Sequence, residues 1–469
     1  MPAAVAGGQG LDWGAFAGVL ATIAYELTLF AAVGMLVGGI DDCVVDAIYL
    51  WHRIKRWRRG ERVPTLADMR PRARRLAIFI AAWDESAVIG RMLAALSQNL
   101  ASSRLTVFVG AYPNDRPTID AIVTVAETDP RIRLVVNTRP GPTTKADCLN
   151  AIWRSMRAEE AALDAPFDAI ILHDAEDMVH PAELTVIDHY LSVADAVQLP
   201  VIPLPHDKAP LVGGTYLDEF AEAHGKTLIV RGTVGAGLPL AGVGCAIARP
   251  LIGKIAAIRG GQPFDAESLT EDYELGLTIA AMGGRMRFAQ VVATDAKPVA
   301  VQAYFPKNFV PAARQKARWM VGIALAGWDR TGWGRAPHLG EWWMRLRDRR
   351  APVGIIVLIA AYLASILMVA CLMIDLAGTD MPPLPDALVT LIYLNIVLLL
   401  WRIVVRAYFV HQLYGWREAL RSAPRMLIGN FVAMEAARRA MTRYIAMLRG
   451  APAQWDKTAH QFPDEVPKA

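Results

Sequence analysis

Two hydrophobic patterns alternate along the chain. Three nearly unbroken apolar runs, at about 15–40, 353–374 and 388–410, are long enough to cross a bilayer as helices, which takes roughly 20 apolar residues. Between the first and second runs the apolar residues fall instead into short blocks at 76–80, 105–109, 132–136 and 169–172. Blocks of that length bounded by polar turns read as buried strands. Helical patterns occupy the intervals 87–99, 118–126 and 145–161. Strands alternating with helices predict βαβ units and a parallel sheet, so the central region is expected to be α/β. In such sheets ligands bind beyond the carboxyl ends of the strands. Three of those ends carry acids: Asp84 and Glu85, then Asp115, then Asp174.

After the third run the pattern changes again. Leu427, Phe431, Met434, Met441, Ile445 and Leu448 recur at spacings of three, four or seven, with Arg438, Arg439 and Arg443 between them. That is an amphipathic helix, expected to lie on the inner leaflet or against the central α/β domain. The segment 455–462 is expected to form a loop near the active site.

Charge sets the expected topology. Arg53, Lys55, Arg56, Arg58 and Arg59 follow the first run, Arg345, Arg347, Arg349 and Arg350 precede the second, and Arg417, Arg421 and Arg425 follow the third. Residues 1–14 and 375–386 contain no Lys or Arg. The positive-inside rule then puts the N-terminus outside and the catalytic region and C-terminus inside. The expected division is an anchor at 1–40, a cytoplasmic domain at 41–350 with interfacial helices near its end, a helix pair at 351–410 and an amphipathic tail at 411–469. No basic residue precedes the first run, so it reads as a retained anchor and not a signal peptide. The 54% hydrophobic content comes from these spans, and the net charge of +4 gives no reason to expect nucleic acid. Cys43, Cys148, Cys245 and Cys371 are dispersed without metal-ligand spacing and read as structural thiols.

The candidate chemistry lies at the strand ends and beyond. Asp174 and Glu176 in His173-Asp174-Ala175-Glu176-Asp177 are two apart, so an extended segment turns both to one side. Oxygen ligands of that kind suit Mg²⁺ or Mn²⁺ shared with a diphosphate; a solvated acidic turn is the alternative. Lys145 opens a helix after Gly141-Pro142-Thr143-Thr144, where a cation and free N–H groups suit a diphosphate; a capped helix with an exposed lysine would look the same. Thr270-Glu271-Asp272 is either a general base or a helix cap with acidic first-turn residues. Gly242 and Gly244 permit close approach by a ligand or make a tight turn. Gln315, Arg318 and Trp319 form Gln-x-x-Arg-Trp: the arginine suits a leaving diphosphate and the tryptophan a sugar ring, or both sit on an interfacial helix.

In this order, the strings resemble the membrane-bound family 2 glycosyltransferases, the group of cellulose, chitin and hyaluronan synthases, over about residues 75–330. The resemblance implies a GT-A (Rossmann-like) cytoplasmic domain among three transmembrane helices and amphipathic interfacial helices. It also implies an inverting hexosyl- or N-acetylhexosaminyltransferase using a UDP-sugar and Mg²⁺ or Mn²⁺. On that likeness Glu85, Asp115, Lys145, Asp174 and Arg318 hold the nucleotide-sugar, and Asp174 and Glu176 hold the metal. Asp272, with Glu271, is the catalytic pair. Gly242, Gly244, Gln315 and Trp319 line the acceptor and product path. Glu176 departs from the family's usual Asp, and three spans are few for a polymer channel. The strings 82–86, 112–115, 173–177, 214–220 and 455–458 are similar to the glycosyltransferase part of NfrB-type bacteriophage adsorption proteins. That likeness implies a multi-pass bacterial inner-membrane enzyme of envelope or exported polysaccharide synthesis. Its expected partners are a glycan or lipid-linked acceptor, the lipid bilayer and an outer-membrane export protein. Two other readings are a polyprenyl-phosphate glycosyltransferase and a non-catalytic membrane scaffold or phage-receptor component.

Overall fold

The computed structural model describes residues 13–206, 209–334, 338–451 and 460–463. The Trp455–Thr458 string falls outside them. The chain divides into two compact units, one ending at Asp46 and resuming over Arg350–Val405, the other comprising Ala47–Arg349 and resuming at Arg406.

The larger unit is built on a seven-stranded sheet. Its strands are β1 (Leu76–Ala81), β2 (Leu105–Ala111), β3 (Ile132–Val136), β4 (Ala169–His173), β5 (Ala196–Gln198), β7 (Cys245–Ala248) and β8 (Met286–Phe288), in the order β3-β2-β1-β4-β7-β5-β8. A separate pair joins β6 (Val201–Pro203) to β9 (Val301–Ala303) in parallel. The four expected strands are the parallel half of the sheet, and each expected helix between them is present. The unbroken apolar runs of β1, β2 and β4 reflect burial on both faces, whereas β3, at the edge of the sheet, buries only Ile132. Ile78 and Ile80 of β1 enter one core with Val107, Val109 and Ile171, while Ala77 and Phe79 enter the other with Phe108, Ile170 and Leu172. β7 is antiparallel to both β4 and β5.

Register positions the site. Ile80 of β1 pairs with His173 of β4. The acidic turns that follow these strands therefore emerge at one level of the sheet.

The helix Trp416–Leu448 belongs to this larger unit. Its inward face is Ala419, Ser422, Arg425, Val432, Ala436 and Ala440. Small residues let it approach the helix Phe309–Met320 closely, and Arg425 is neutralised by Asp218 at 2.8 Å and Glu418 at 2.6 Å. The expected apolar stripe faces outward: Leu427, Phe431, Met441, Ile445 and Leu448 are all exposed.

The smaller unit holds most of three helices long and apolar enough to cross a membrane: Trp13–Arg58, Ala351–Leu376 and Asp386–Tyr414. The first runs well past the expected end at residue 40, as one helix of 46 residues. Asn395 donates to the Ala32 carbonyl at 2.9 Å. Arg350 reaches Asp41 at 2.5 Å and Asp42 at 2.7 Å, and Trp401 donates to Asp46 at 2.8 Å.

Candidate active site

The turn after β4 is held from behind by a buried acid–histidine–acid set. His173 Nδ1 lies 2.9 Å from Asp177 Oδ2 and Nε2 lies 2.7 Å from Glu183 Oε1. Burial alone would lower the His173 pKa, but Glu183 and Asp177 override it and push it up to about 10. Asp177 also accepts the Asp174 N–H at 2.9 Å. Both His173 nitrogens are engaged, so it orients the turn and ligates nothing. Asp177 likewise serves the turn.

Asp174 and Lys145 form an ion pair on the cavity wall. Thr144 caps the helix Lys145–Leu163, accepting from the Asp147 N–H at 3.2 Å and donating to the Ala266 carbonyl at 2.7 Å. The lysine that follows is not the exposed residue of a simple cap: its side chain is largely buried, with Nζ 2.5 Å from Asp174 Oδ1 and 3.7 Å from Glu271 Oε1. Burial would lower its pKa, but Asp174, Glu271 and Asp272 raise it, so it stays charged. Burial opposes ionisation of Asp174 too, and Lys145 outweighs it and holds the carboxyl below its usual range.

The Thr270–Asp272 segment is not a conventional helix cap. Thr270 precedes the helix Glu271–Ala281, but its hydroxyl makes no capping bond; it is buried against Gly322. Asp272 accepts the Tyr273 N–H at 2.8 Å. Burial, then the Glu271 charge, pushes its pKa up to about 7. A carboxylate poised near neutrality suits a general base. Gly242, at φ +75°, makes room for it: a Cβ there would lie 2.6 Å from Asp272 Oδ2. Gly242 thus accommodates the carboxylate instead of lining a product path. Gly244, at φ +55°, packs against Val301. Neither glycine is among the cavity-lining residues.

Glu85, Glu176 and His460 form the third element, each offering one ligand atom within 4.8 Å of the others. His460 Nδ1 lies 2.8 Å from Glu85 Oε1 and 3.2 Å from Glu176 Oε2. That second oxygen is buried without a hydrogen bond. Burial first, then Asp174 and Glu85, push Glu176 up to about 8 against the opposing effect of His460. Burial would lower His460, but Glu176 and Glu85 carry it up to about 9. Carboxylates crowded around one imidazole, one oxygen lacking a hydrogen bond, fit a divalent cation. The expected pair was Asp174 and Glu176; both line the cavity, with Asp174 ion-paired to Lys145 and Glu176 grouped with Glu85 and His460. No motif marked His460. The expected loop near the site is realised in its described part: His460 and Gln461 line the cavity and Phe462 is buried in the core.

Asp115 is used by the fold. It accepts the Asp84 N–H at 2.6 Å, caps the helix Arg116–Ala126 and does not line the cavity. Gln315, Arg318 and Trp319 do line it. Arg318 is near enough to Asp174 to favour its ionised form. Trp319 packs with Tyr216, Phe220 and Phe305, ring centroids 6.1–6.5 Å away. The cavity, of about 600 Å³, thus has a charged end and an aromatic end.

Residues 71–322 match the family model described as glycosyltransferase like family 2. The chain is 34% identical over 488 aligned positions to bacteriophage adsorption protein B of Escherichia coli K12. It is equally similar to bacteriophage N4 adsorption protein B of E. coli O157:H7. Each alignment covers 97% of this chain and 64% of the relative's length. Among solved structures, a mannosyltransferase from Pyrobaculum calidifontis, in complex with GDP-Man and Mn²⁺, is similar in fold. Its TM-score is 0.52 at 18% identity, covering 94% of this chain and 100% of that one. The mixed sheet is therefore that of a GT-A, Rossmann-like domain, accompanied by three candidate membrane helices. With more than half its length matched by the family model, the chain belongs to the family 2-like glycosyltransferases.

Proposed function

We propose that the protein is a membrane-anchored, inverting transferase that moves a hexosyl or N-acetylhexosaminyl group from a UDP-sugar to an acceptor hydroxyl. One observation carries this reading: Lys145, Asp174, Arg318 and Asp272 line a single cavity, so a diphosphate cation site and a carboxylate base serve the same space. In the reaction the acceptor oxygen attacks the anomeric carbon from the face opposite UDP. The new C–O bond forms as the bond to UDP breaks, and UDP leaves with the bonding pair. Asp272 takes the hydroxyl proton, and Lys145 and Arg318 balance the charge on the departing diphosphate. Glu176 and His460, with Glu85, would hold a divalent cation, which supplies further positive charge against the diphosphate. An imidazole in an otherwise oxygen set favours Mn²⁺ over the harder Mg²⁺.

The basic runs support a topology with the catalytic unit in the cytoplasm, the N-terminus outside and the exposed stripe of Trp416–Leu448 on the inner leaflet. We further propose that it is a bacterial inner-membrane enzyme making an envelope glycan with an outer-membrane export partner; the relatives in E. coli are named for phage adsorption.

The test is release of nucleoside diphosphate from a panel of UDP-sugars and GDP-mannose by the protein in nanodiscs, with Mn²⁺ and Mg²⁺ compared. Release from a UDP-sugar that Asp272→Asn removes supports the reading. A folded protein inert toward every donor with either metal hands the site to the scaffold reading.

A further inference from the structure

Two segments from different parts of the chain meet at Asp272. The carboxylate lies in the first turn of the helix Glu271–Ala281, and the segment 237–244 lies against that helix. Gly242 of the segment abuts the carboxylate. Gly276, one turn along the helix, lets the backbone of 238–240 lie directly on it: a Cβ there would fall 2.5 Å from the Leu238 carbonyl oxygen. The place of the carboxylate therefore depends on what fixes the helix and on what fixes the segment.

Both are tied to one other helix, Leu339–Arg349. On the side of the Asp272 helix, the Tyr273 hydroxyl donates to Asp348 Oδ2 at 2.9 Å. Burial, reinforced by the Asp348 charge, pushes the Tyr273 pKa well above the usual tyrosine range, so the hydroxyl keeps its proton for that bond. On the side of the segment, Glu341 Oε2 accepts the Gly237 N–H at 2.6 Å, and the Gly237 carbonyl accepts from Arg231 Nε at 3.0 Å. Arg231 closes the circuit. It is 2% exposed, and its Nη1 donates to Asp348 Oδ1 at 2.7 Å. Asp348 thus has one oxygen on the residue beside Asp272 and the other on the arginine that holds the segment packed against it. Asp348 lines the cavity, but both its oxygens are engaged, so it acts through its partners. Charge-assisted bonds to two donors fix a carboxylate in direction as well as in place. Asp348 is 75 residues from Tyr273 and 117 from Arg231, and no sequence pattern links the three.

We infer that Asp348 is a positioning residue for the base, holding Asp272 toward the acceptor hydroxyl through Tyr273 on one side and through Arg231 and the 237–244 segment on the other. The inference rests on the glycosyl-transfer reading above, in which Asp272 is the base. Misplacing a reacting group by about 1 Å can cost roughly 10²-fold in rate. The expected signature is therefore a loss of turnover without a loss of donor binding, which in that reading belongs to Lys145, Arg318 and the cation group. A merely structural tie would lower Tm or yield and leave kcat per folded molecule alone.

The experiment is steady-state sugar transfer by the full chain in nanodiscs, with kcat and the UDP-sugar KM measured separately and Asp272→Asn run in parallel. Tyr273→Phe removes only the hydroxyl. The helix keeps its neighbouring anchor, Glu274, which Arg330 and Ser268 hold, so this variant is expected to fold. Its kcat should fall roughly ten- to a hundredfold with KM unchanged. Asp348→Ala should show the same split, and the double variant should be no slower than Asp348→Ala alone, because the two residues act as one unit. Asp348→Asn, which keeps an oxygen for Arg231 and can still hydrogen-bond the Tyr273 hydroxyl, should recover most of the rate. If Asp348→Ala does not fold, Tyr273→Phe decides by itself. A wild-type kcat in Tyr273→Phe, with Asp272→Asn inactive, overturns the inference and leaves the transferase reading standing. So do losses that multiply in the double variant, or a lower Tm with kcat per folded molecule unchanged. Transfer by Asp272→Asn at the wild-type rate removes the base instead, and the inference with it.

Discussion

The charged end of the cavity and the charged belt of the membrane unit use the same residue types to opposite effect. In the membrane unit, Asp41 and Asp42 share Arg350, Arg402 lies 3.4 Å from Asp42, and Asp46 accepts from Trp401. Each of these three carboxylates meets a donor that offsets its desolvation. At the charged end of the cavity, Asp174, Glu176, Glu271 and Asp272, with Glu85 beside them, face Lys145, Arg318 and His460. Carboxylates outnumber cations, and burial, reinforced by that surplus, raises the pKa values of Glu176 and Asp272. A balanced cluster holds helices together, whereas an unbalanced one is poised for a ligand that brings the missing charge or takes a proton.

If this contrast is sound, the largest effect comes from removing the proton acceptor. Asp272→Asn should lower sugar transfer by roughly 10²–10⁴-fold, the range of general-base catalysis, with UDP affinity nearly unchanged. In the wild type, transfer should rise with pH until Asp272 loses its proton, near its pKa of about 7, and then level off. A variant that transfers at wild-type rate would move the base elsewhere.

Next is the surplus carboxylate itself. Glu176→Ala should weaken Mn²⁺ activation by more than the roughly 10–100-fold typical of losing a mere outer-shell partner. Chelation should abolish activity, and Mn²⁺ should restore it better than Mg²⁺. Titrating activity against each metal reads this directly; full activity in excess EDTA would remove the cation from the scheme.

A smaller effect is thermodynamic. The folded pKa values of Glu176 and Asp272, about 8 and about 7, lie above the ordinary carboxylate values, which are near about 4. Their contribution to stability is therefore complete below about pH 4 and is lost as pH rises through about 7–8. A cation bound to ionised Glu176 offsets that loss. Added Mn²⁺ should raise the Tm of chelator-treated protein more at about pH 8.5 than at about pH 6. An equal rise at both would mean that the ion binds elsewhere.

The smallest change in catalysis is expected from the balanced cluster. Arg350→Ala leaves Asp41 and Asp42 underpaired and should lower Tm or yield, while kcat per folded molecule and the metal titration stay at wild-type values. A loss of Mn²⁺ activation in this variant would erase the distinction between the two regions.

Much of the frame was legible because its physics is local. Strands β1, β2 and β4 are buried on both faces, so they read as apolar blocks, and the acids after β1 and β4 share a level because their strands pair in register. Lys145, Asp272, Gln315, Arg318 and Trp319 carried recognisable residue types at recognisable places. Asp115 misled because a strand-end acid can serve a helix cap as readily as a ligand, and the glycines because room for Asp272 and room for a substrate look alike in sequence. The tail's apolar stripe was correct as a period, but the pattern could not reveal that small residues would form the inward face.

The sequence by itself determined the α/β class, the three span-length apolar helices, the first four strands and the chemistry available at their ends. These follow from runs, periods and turns a few residues long. Only the tertiary structure decided which charges meet. It brought His460, from the far end of the chain, to Glu85 and Glu176; it gave Asp174 to Lys145; and it drew His206, Phe220, Tyr304 and Phe305 into one aromatic wall. Such meetings depend on packing between distant segments, where burial and charge balance act across space and leave no period along the chain.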